Sequence, residues 1–381
     1  MEHAARPAVS TVARMTSPTS PRVRAAVTAL PGYVPGRPAP VGPGGASFKI
    51  SSNENPYPPL PAVLEVVQRA AAQLNRYPDM SSADLVGALA EHLDVPAARV
   101  VPGTGSVGVL GSLLQAVCET GDEVVFAWRS FEAYPIVVGL SGATPVPVPL
   151  DGAGRHDLDA MAGAITERTR LVLVCTPNNP TGPVVGAQEL EAFLARVPRD
   201  VLVVVDEAYL EFVRDPQAAD GLAAHRAHPN VMVLRTFSKA YGLAGLRVGY
   251  AVAHEPVAEA LRRTAVPFGV SGIAQLAAVA SLEQSEALLE RVDAIVDERE
   301  RVVAELTRQG WRLPRSEANF VFLPVGSSTG ALVAACAGAG LSVRGYGDDG
   351  VRATVGDVAA DDVLLEVCGA FLPTWSPDRV G

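Results

Sequence analysis

Apolar residues recur along this chain in two rhythms. Between residues 99 and 252 they gather in short blocks, at 100–101, 123–127, 144–148, 171–175, 201–206, 231–235 and 249–252, most of them dominated by Val and Leu. Blocks that are apolar on consecutive positions predict strands buried on both faces. Helical stretches or irregular crossovers between most of them predict a mainly parallel sheet covered by helices, an α/β fold. Before residue 99 the rhythm is helical. Val63, Val66, Val67 and Ala70 share a face of a helix predicted from Pro61 to about residue 74, and Leu85, Leu89 and Leu93 share one over 82–92. Beyond about residue 267 the pattern changes to a long helical region at 273–309, a strand at 320–324, a helix at 330–339 and strands at 341–344 and 351–355. That sequence of elements predicts a second, smaller α+β domain.

The expected organisation is therefore a disordered tail over 1–30, an arm over 31–55 that joins the small domain, a large domain over 56–266 and the small domain over 267–381. The tail is rich in Ala, Ser, Thr, Pro and Arg and has no apolar core segment, so it does not resemble a secretion signal, and Met15 is a second candidate start. Pro and Gly dominate 31–45 and predict an extended path.

Composition narrows the function classes. With 381 residues, 48% hydrophobic, the chain can bury a large core, and its formal charge of −10 with no basic run argues against nucleic acid. No apolar run approaches the length of a membrane span. Cys118, Cys175, Cys336 and Cys368 lie far apart without a C-x-x-C pair, which predicts buried free thiols and a cytoplasmic protein. No His cluster or carboxylate set stands at metal-ligand spacing, so no metal is expected.

The chemistry gathers where a parallel sheet would place it, at the carboxyl ends of strands. The segments 175–179, 206–207 and 238–239 all lie at or just beyond such ends. Lys239 follows an apolar strand among small and hydroxyl side chains, a setting that suits a desolvated amine able to form a Schiff base with a carbonyl. Asp206 closes a strand, where a carboxylate is costly unless it caps a helix, binds a metal or pairs with a buried cation. Gly103-Thr104-Gly105-Ser106-Val107-Gly108 matches a dinucleotide-binding loop, but the next strand ends in Trp128-Arg129-Ser130-Phe131 with no acid for a ribose. What remains is a helix N-terminus suited to a phosphate, or a plain tight turn.

Four segments taken together resemble the fold-type-I, aspartate-aminotransferase-like enzymes that use pyridoxal phosphate. They are N-E-N-P-Y at 53–57, P-N-N-P-T-G at 177–182, D-E-A-Y at 206–209 and T-F-S-K-A-Y-G-L-A-G-L-R-V-G-Y at 236–250. Their order and spacing are similar to the histidinol-phosphate aminotransferase branch. G-T-G-S-V-G, W-R-S-F and N-R-Y-P-D at 75–79 look most like its actinobacterial aromatic-amino-acid (phenylalanine) group.

The resemblance implies roles residue by residue. Lys239 would carry the cofactor and shuttle a proton, Asp206 would pair with its ring nitrogen, and Tyr209 and Asn179 would bind its 3′ oxygen. Ser238, Thr236, Arg247, Gly105 and Ser106 would hold the phosphate, and Phe131 would stack on the ring. Many relatives carry an acid where Ser106 stands, so backbone donors must do more here. Tyr57 would reach the cofactor phosphate of a partner subunit, making a homodimer with shared active sites. Arg352 would clamp the substrate carboxylate, with Arg344, Asn319 and Tyr33 lining the pocket. The implied reaction moves an amino group between an aromatic amino acid and 2-oxoglutarate. The alternatives are histidinol phosphate as substrate and, more remotely, a decarboxylase on the same scaffold.

Overall fold

A computed structural model of the protein describes residues 21, 23–32, 36 and 38–372. The described residues open with one helical turn, α1 (Ala25–Ala29), and lead through a short turn at Pro43–Gly45 to β1 (Phe48–Lys49). Arg24 Nη1 donates to Leu140 O at 3.1 Å and ties the α1 turn to the body of the protein.

The helices α2 (Pro61–Ala71) and α3 (Ala83–Leu93) come next. Strand and helix then alternate through β2 (Val100–Gly103), α4 (Gly105–Val117), β3 (Glu123–Trp128), α5 (Ala133–Ser141), β4 (Thr144–Pro149) and α6 (Leu158–Gly163). They continue through β5 (Thr169–Cys175), α7 (Ala187–Leu194), β6 (Leu202–Asp206), α8 (Gly221–Ala227), β7 (Val231–Thr236), β8 (Gly249–Val252) and α9 (Glu255–Thr264). Seven of these strands form one sheet in the order β2-β8-β7-β6-β5-β3-β4, and β8 alone runs antiparallel to its neighbours.

Side chains alternate across a strand, so each apolar block feeds two cores. Phe126, Leu173, Val204 and Leu234 pack on one face with α4 and α9, and Val125, Val174, Val205 and Val231 pack on the other with α7 and α8. Burying one such side chain contributes about 1.5–3 kcal/mol, which is why a polar residue inside these strands is uncommon and informative where it occurs.

The C-terminal region holds α10 (Gly272–Glu283), α11 (Ser285–Gln309), β9 (Phe320–Leu323), α12 (Thr329–Gly338), β10 (Leu341–Ser342), β11 (Arg344–Tyr346), β12 (Gly350–Thr354) and α13 (Val358–Phe371). The helical region expected over 273–309 is two helices, broken at Gln284, whose φ of −107° and ψ of 29° leave the helical basin. The strand expected at 341–344 likewise divides into β10 and β11. Helix α13, absent from the sequence reading, is started by Asp357, whose carboxylate accepts from Ala359 N and Ala360 N. Strands β11, β12 and β9 form an antiparallel sheet, while β10 pairs in parallel with β1. Through that pairing, and through Thr354 N donating to Ile50 O at 2.8 Å, the arm is held on the small sheet. Residues 51–55 are thereby carried across the strand ends of the large sheet. All four cysteines are buried and free. Among the described residues, no helix is long and apolar enough to cross a membrane.

Candidate active site

The parallel registers Cys175↔Asp206 and Asp206↔Leu234 bring the carboxyl ends of β5, β6 and β7 side by side. Asp206, the Thr176–Asn179 loop and the Ser238-Lys239 turn therefore meet at one edge. Because β8 runs the opposite way, its starting end lies at that same edge, with Gly249 between Gly103 and Thr236. A Cβ at Gly249 would lie 2.5 Å from Ser106 N and 2.8 Å from Arg235 O. Only glycine lets the start of α4 come this close to β7.

Lys239 Nζ donates to Ser52 O at 3.1 Å, and its ammonium lies 5.8 Å from the centre of the Tyr209 ring. Its side chain keeps some exposure, yet desolvation pushes the amine down from 10.5 to about 7. The nearby Arg352 and Arg247 charges add to that shift, against Glu54. Asp206 is buried, and Tyr134 Oη donates to its Oδ2 at 2.7 Å. Burial raises this carboxyl to about 6, opposed by the Tyr134 hydrogen bond. Asp206 is not a helix cap. The next helical turn starts only at Leu210, with Tyr209 in the capping place. Its Oδ1 is buried and has no hydrogen-bond partner among the described residues, which leaves an acceptor open to a donor.

Around the lysine, Asn53 Nδ2 donates to Tyr209 Oη at 2.9 Å, and burial holds the Tyr209 phenol well above its ordinary pKa, so it stays protonated. Arg352 is 6% exposed, sits between the Phe320 and Tyr346 rings, and donates Nη2 to Ser51 O at 2.6 Å and Nη1 to Asn179 Oδ1. Asn319, fully buried, donates Nδ2 to Asn53 O at 3.3 Å. The neighbouring Asn178 fixes the loop: its Oδ1 accepts from Ser130 Oγ at 2.8 Å and its Nδ2 donates to Arg129 O and Thr181 Oγ1.

At the start of α4, Gly105 has φ +75°, and a Cβ there would lie 2.6 Å from Arg247 Nη2. Arg247 Nη1 reaches Ser238 Oγ at 3.4 Å, and Thr236 Oγ1 donates to Ser238 Oγ at 2.9 Å. Arg247 itself adopts φ +55°, a left-handed conformation costing about 1–2 kcal/mol, so the fold constrains the placement of this guanidinium. A helix N-terminus, two hydroxyls and an arginine make an anion cradle. With the open Oδ1 of Asp206 and the desolvated Lys239 amine, the donor set fits pyridoxal phosphate: a ring N–H for the carboxylate, a carbonyl for the amine, a phosphate for the cradle.

The other expected residues among those described have partners of their own. Phe131 packs edge-on against Tyr134, with ring centres 5.6 Å apart. Tyr57 faces Arg291, whose guanidinium lies 5.7 Å from its ring centre. Arg344 forms a bidentate ion pair with Glu132. Tyr33 lies outside the described residues. Sequence reasoning missed Tyr134, Asn53 and Glu132 as contributors. Tyr134 stands three residues after Phe131, in the turn that opens α5, where its N–H donates to Phe131 O at 2.9 Å and the two rings meet.

The family model for aminotransferase class I and II matches residues 47–367. An aromatic amino acid aminotransferase of Streptomyces avermitilis is 59% identical over 355 residues, covering 93% of this chain and 99% of that protein. Its counterpart in Streptomyces coelicolor is 58% identical over the same shares. Among solved structures, the histidinol-phosphate aminotransferase of Sinorhizobium meliloti in complex with pyridoxal-5′-phosphate superposes with a TM-score of 0.83. It is 29% identical, covering 96% of this chain and 99% of that one.

Proposed function

The chain belongs to the class I and II aminotransferase family, and from that premise we propose that it moves the amino group of an aromatic amino acid to 2-oxoglutarate in two successive half-reactions, with pyridoxal phosphate as cofactor. The aromatic side rests on the two Streptomyces relatives, both described as aromatic amino acid aminotransferases. The acceptor, a homodimer in which Tyr57 reaches the neighbouring subunit's cofactor phosphate, and a cytoplasmic location belong to the proposal.

The observation that carries the chemistry is the desolvated Lys239 amine, near neutrality and within 5.8 Å of the Tyr209 ring centre, at the same sheet edge as the half-satisfied Asp206 carboxylate. When bound, the cofactor would supply a conjugated ring that serves as an electron sink for deprotonation at the substrate α-carbon. Lys239, whose amine desolvation holds well below the ordinary lysine value, accepts that proton and delivers it again. Asp206 would hold the ring nitrogen protonated, and Tyr134, donating to Oδ2, fixes the rotamer of that carboxylate. Tyr209, kept protonated by burial, and Asn179 bind the 3′ oxygen. Thr236, Ser238, Arg247 and the Gly105-Ser106 backbone hold the phosphate. Arg352, already drawn to two carbonyl-type oxygens, binds the substrate carboxylate, with Asn319 behind it.

The test is kcat/KM for phenylalanine, tyrosine and histidinol phosphate measured side by side. The aromatic acids are expected to lead by about tenfold or more; preference for histidinol phosphate would overturn the substrate assignment. Borohydride treatment and peptide mass spectrometry should leave the pyridoxyl group on Lys239, and its appearance on another lysine would overturn the site.

A further inference from the structure

Arg344 and Arg352 are direct partners across the antiparallel pair of β11 and β12. Residues paired in this way project from the same face of a sheet. Arg352 reaches Asn179 and Ser51 in the site, so Arg344 stands on the face of the small sheet that overlooks it. A second arginine there is the natural seat for an anion at the far end of a substrate, either a phosphate or a second carboxylate.

That seat is taken by the chain itself. Arg344 Nε donates to Glu132 Oε2 at 3.0 Å, and its Nη2 donates to Glu132 Oε1 at 2.9 Å and to Oε2 at 2.8 Å. The two side chains are 12% and 27% exposed, so the pair is largely shielded and its carboxylate keeps a path to water. Glu132 comes from the large domain, between Phe131 and the helix that carries Tyr134 to Asp206.

We propose that Glu132 is a specificity-determining residue that occupies Arg344 in place of a substrate's distal anion. The inference rests on the aromatic reading above. With the pair closed, the two charges cancel, and a side chain that is uncharged at its far end meets no unbalanced arginine. A ligand with a distal phosphate or carboxylate binds Arg344 only by displacing Glu132 toward solvent, which weakens every such ligand by the same competition. The proposed acceptor, 2-oxoglutarate, is subject to it too, so its KM is raised by the same residue.

The experiment compares holoenzymes of the wild type, Glu132→Gln and the double variant Glu132→Gln/Arg344→Gln. It reads kcat/KM for phenylalanine and for histidinol phosphate. It also reads, by calorimetry, the Kd of two unreactive ligands, glutarate and 3-phenylpropanoate. In Glu132→Gln the histidinol phosphate to phenylalanine ratio should rise about tenfold or more, and glutarate should bind about tenfold tighter while 3-phenylpropanoate changes by less than about threefold. The double variant should lose both gains. Glu132→Asp, which keeps the charge and shortens its reach, should move the same quantities in the same direction by less, and it serves if the Gln variant does not fold. Equal changes for both ligand classes, or an unmoved ratio, would make the pair a mere tie between domains and overturn the proposal. A wild type that prefers histidinol phosphate would overturn the aromatic reading together with this one. A wild type that prefers phenylalanine, with an unmoved ratio in the variants, would sink this inference alone.

Discussion

Replacing Lys239 with methionine should stabilise the cofactor-free protein, and by an amount that shrinks as pH rises. The folded amine titrates at about 7 against an ordinary 10.5, chiefly because it is desolvated. Between those two values the unfolded chain binds more protons at this site than the folded one, so stability rises with pH through that window. Below pH 7 the full penalty applies, about 5 kcal/mol at 1.36 kcal/mol per unit; between pH 7 and pH 9 the wild type regains about 2 kcal/mol of it. Methionine preserves most of the packing and carries no charge, so Lys239→Met removes the penalty together with its pH dependence. Urea unfolding of both cofactor-free proteins at pH 7 and pH 9, at one protein concentration, measures the difference. The variant should be the more stable at pH 7, with the gap narrowing by about 2 kcal/mol at pH 9. A gap that does not change with pH would mean that the folded amine is solvated and charged. It would then have no means of acting as a base near neutrality.

Tyr134→Phe removes the described hydroxyl donor to Asp206 and should weaken pyridoxal phosphate binding about tenfold, read by equilibrium dialysis; an unchanged Kd would deny Tyr134 its positioning role. Gly105→Ala puts a methyl group at φ +75° and 2.6 Å from Arg247 Nη2. It should displace that guanidinium and cost about tenfold or more in cofactor affinity, against no change if the cradle lies elsewhere. Glu207 and Arg235 form a buried pair with side chains 0% and 9% exposed, and Glu207 Oε1 also accepts from Gly221 N at 2.7 Å. Glu207→Gln should lower unfolding stability by about 3–5 kcal/mol in urea, and a loss below about 1 kcal/mol would show that Arg235 finds water or another partner.

Much of the site could be read along the chain because a parallel sheet obeys a local rule. A strand buried on both faces must be apolar throughout, so its end is marked by the first polar residues, and those residues lie where ligands bind. Asp206, Asn178-Asn179 and Ser238-Lys239 stood out for that reason. The expected strands of the large sheet lie within two residues of those observed. Helix limits were less legible. Nothing in the periodicity of 273–309 marks Gln284 as a break, since residues on both sides of it suit a helix. The short turn α1 has no strong pattern and is held by a contact with Leu140 that is 116 residues away.

By itself the sequence determined which residues are chemically equipped and which strands deliver them, because period and burial are local properties of the chain. Only the tertiary structure decided the partnerships. The reversed direction of β8 brings Arg247 back to the lysine edge. The arm lays Asn53 on Tyr209, 156 residues away, and the two domains meet so that Glu132 closes on Arg344 across 212 residues. No periodicity encodes these pairs. Each is set by how packed layers come to rest against one another, and a side chain's neighbours there determine whether an arginine is open to a ligand or already answered by the protein's own carboxylate.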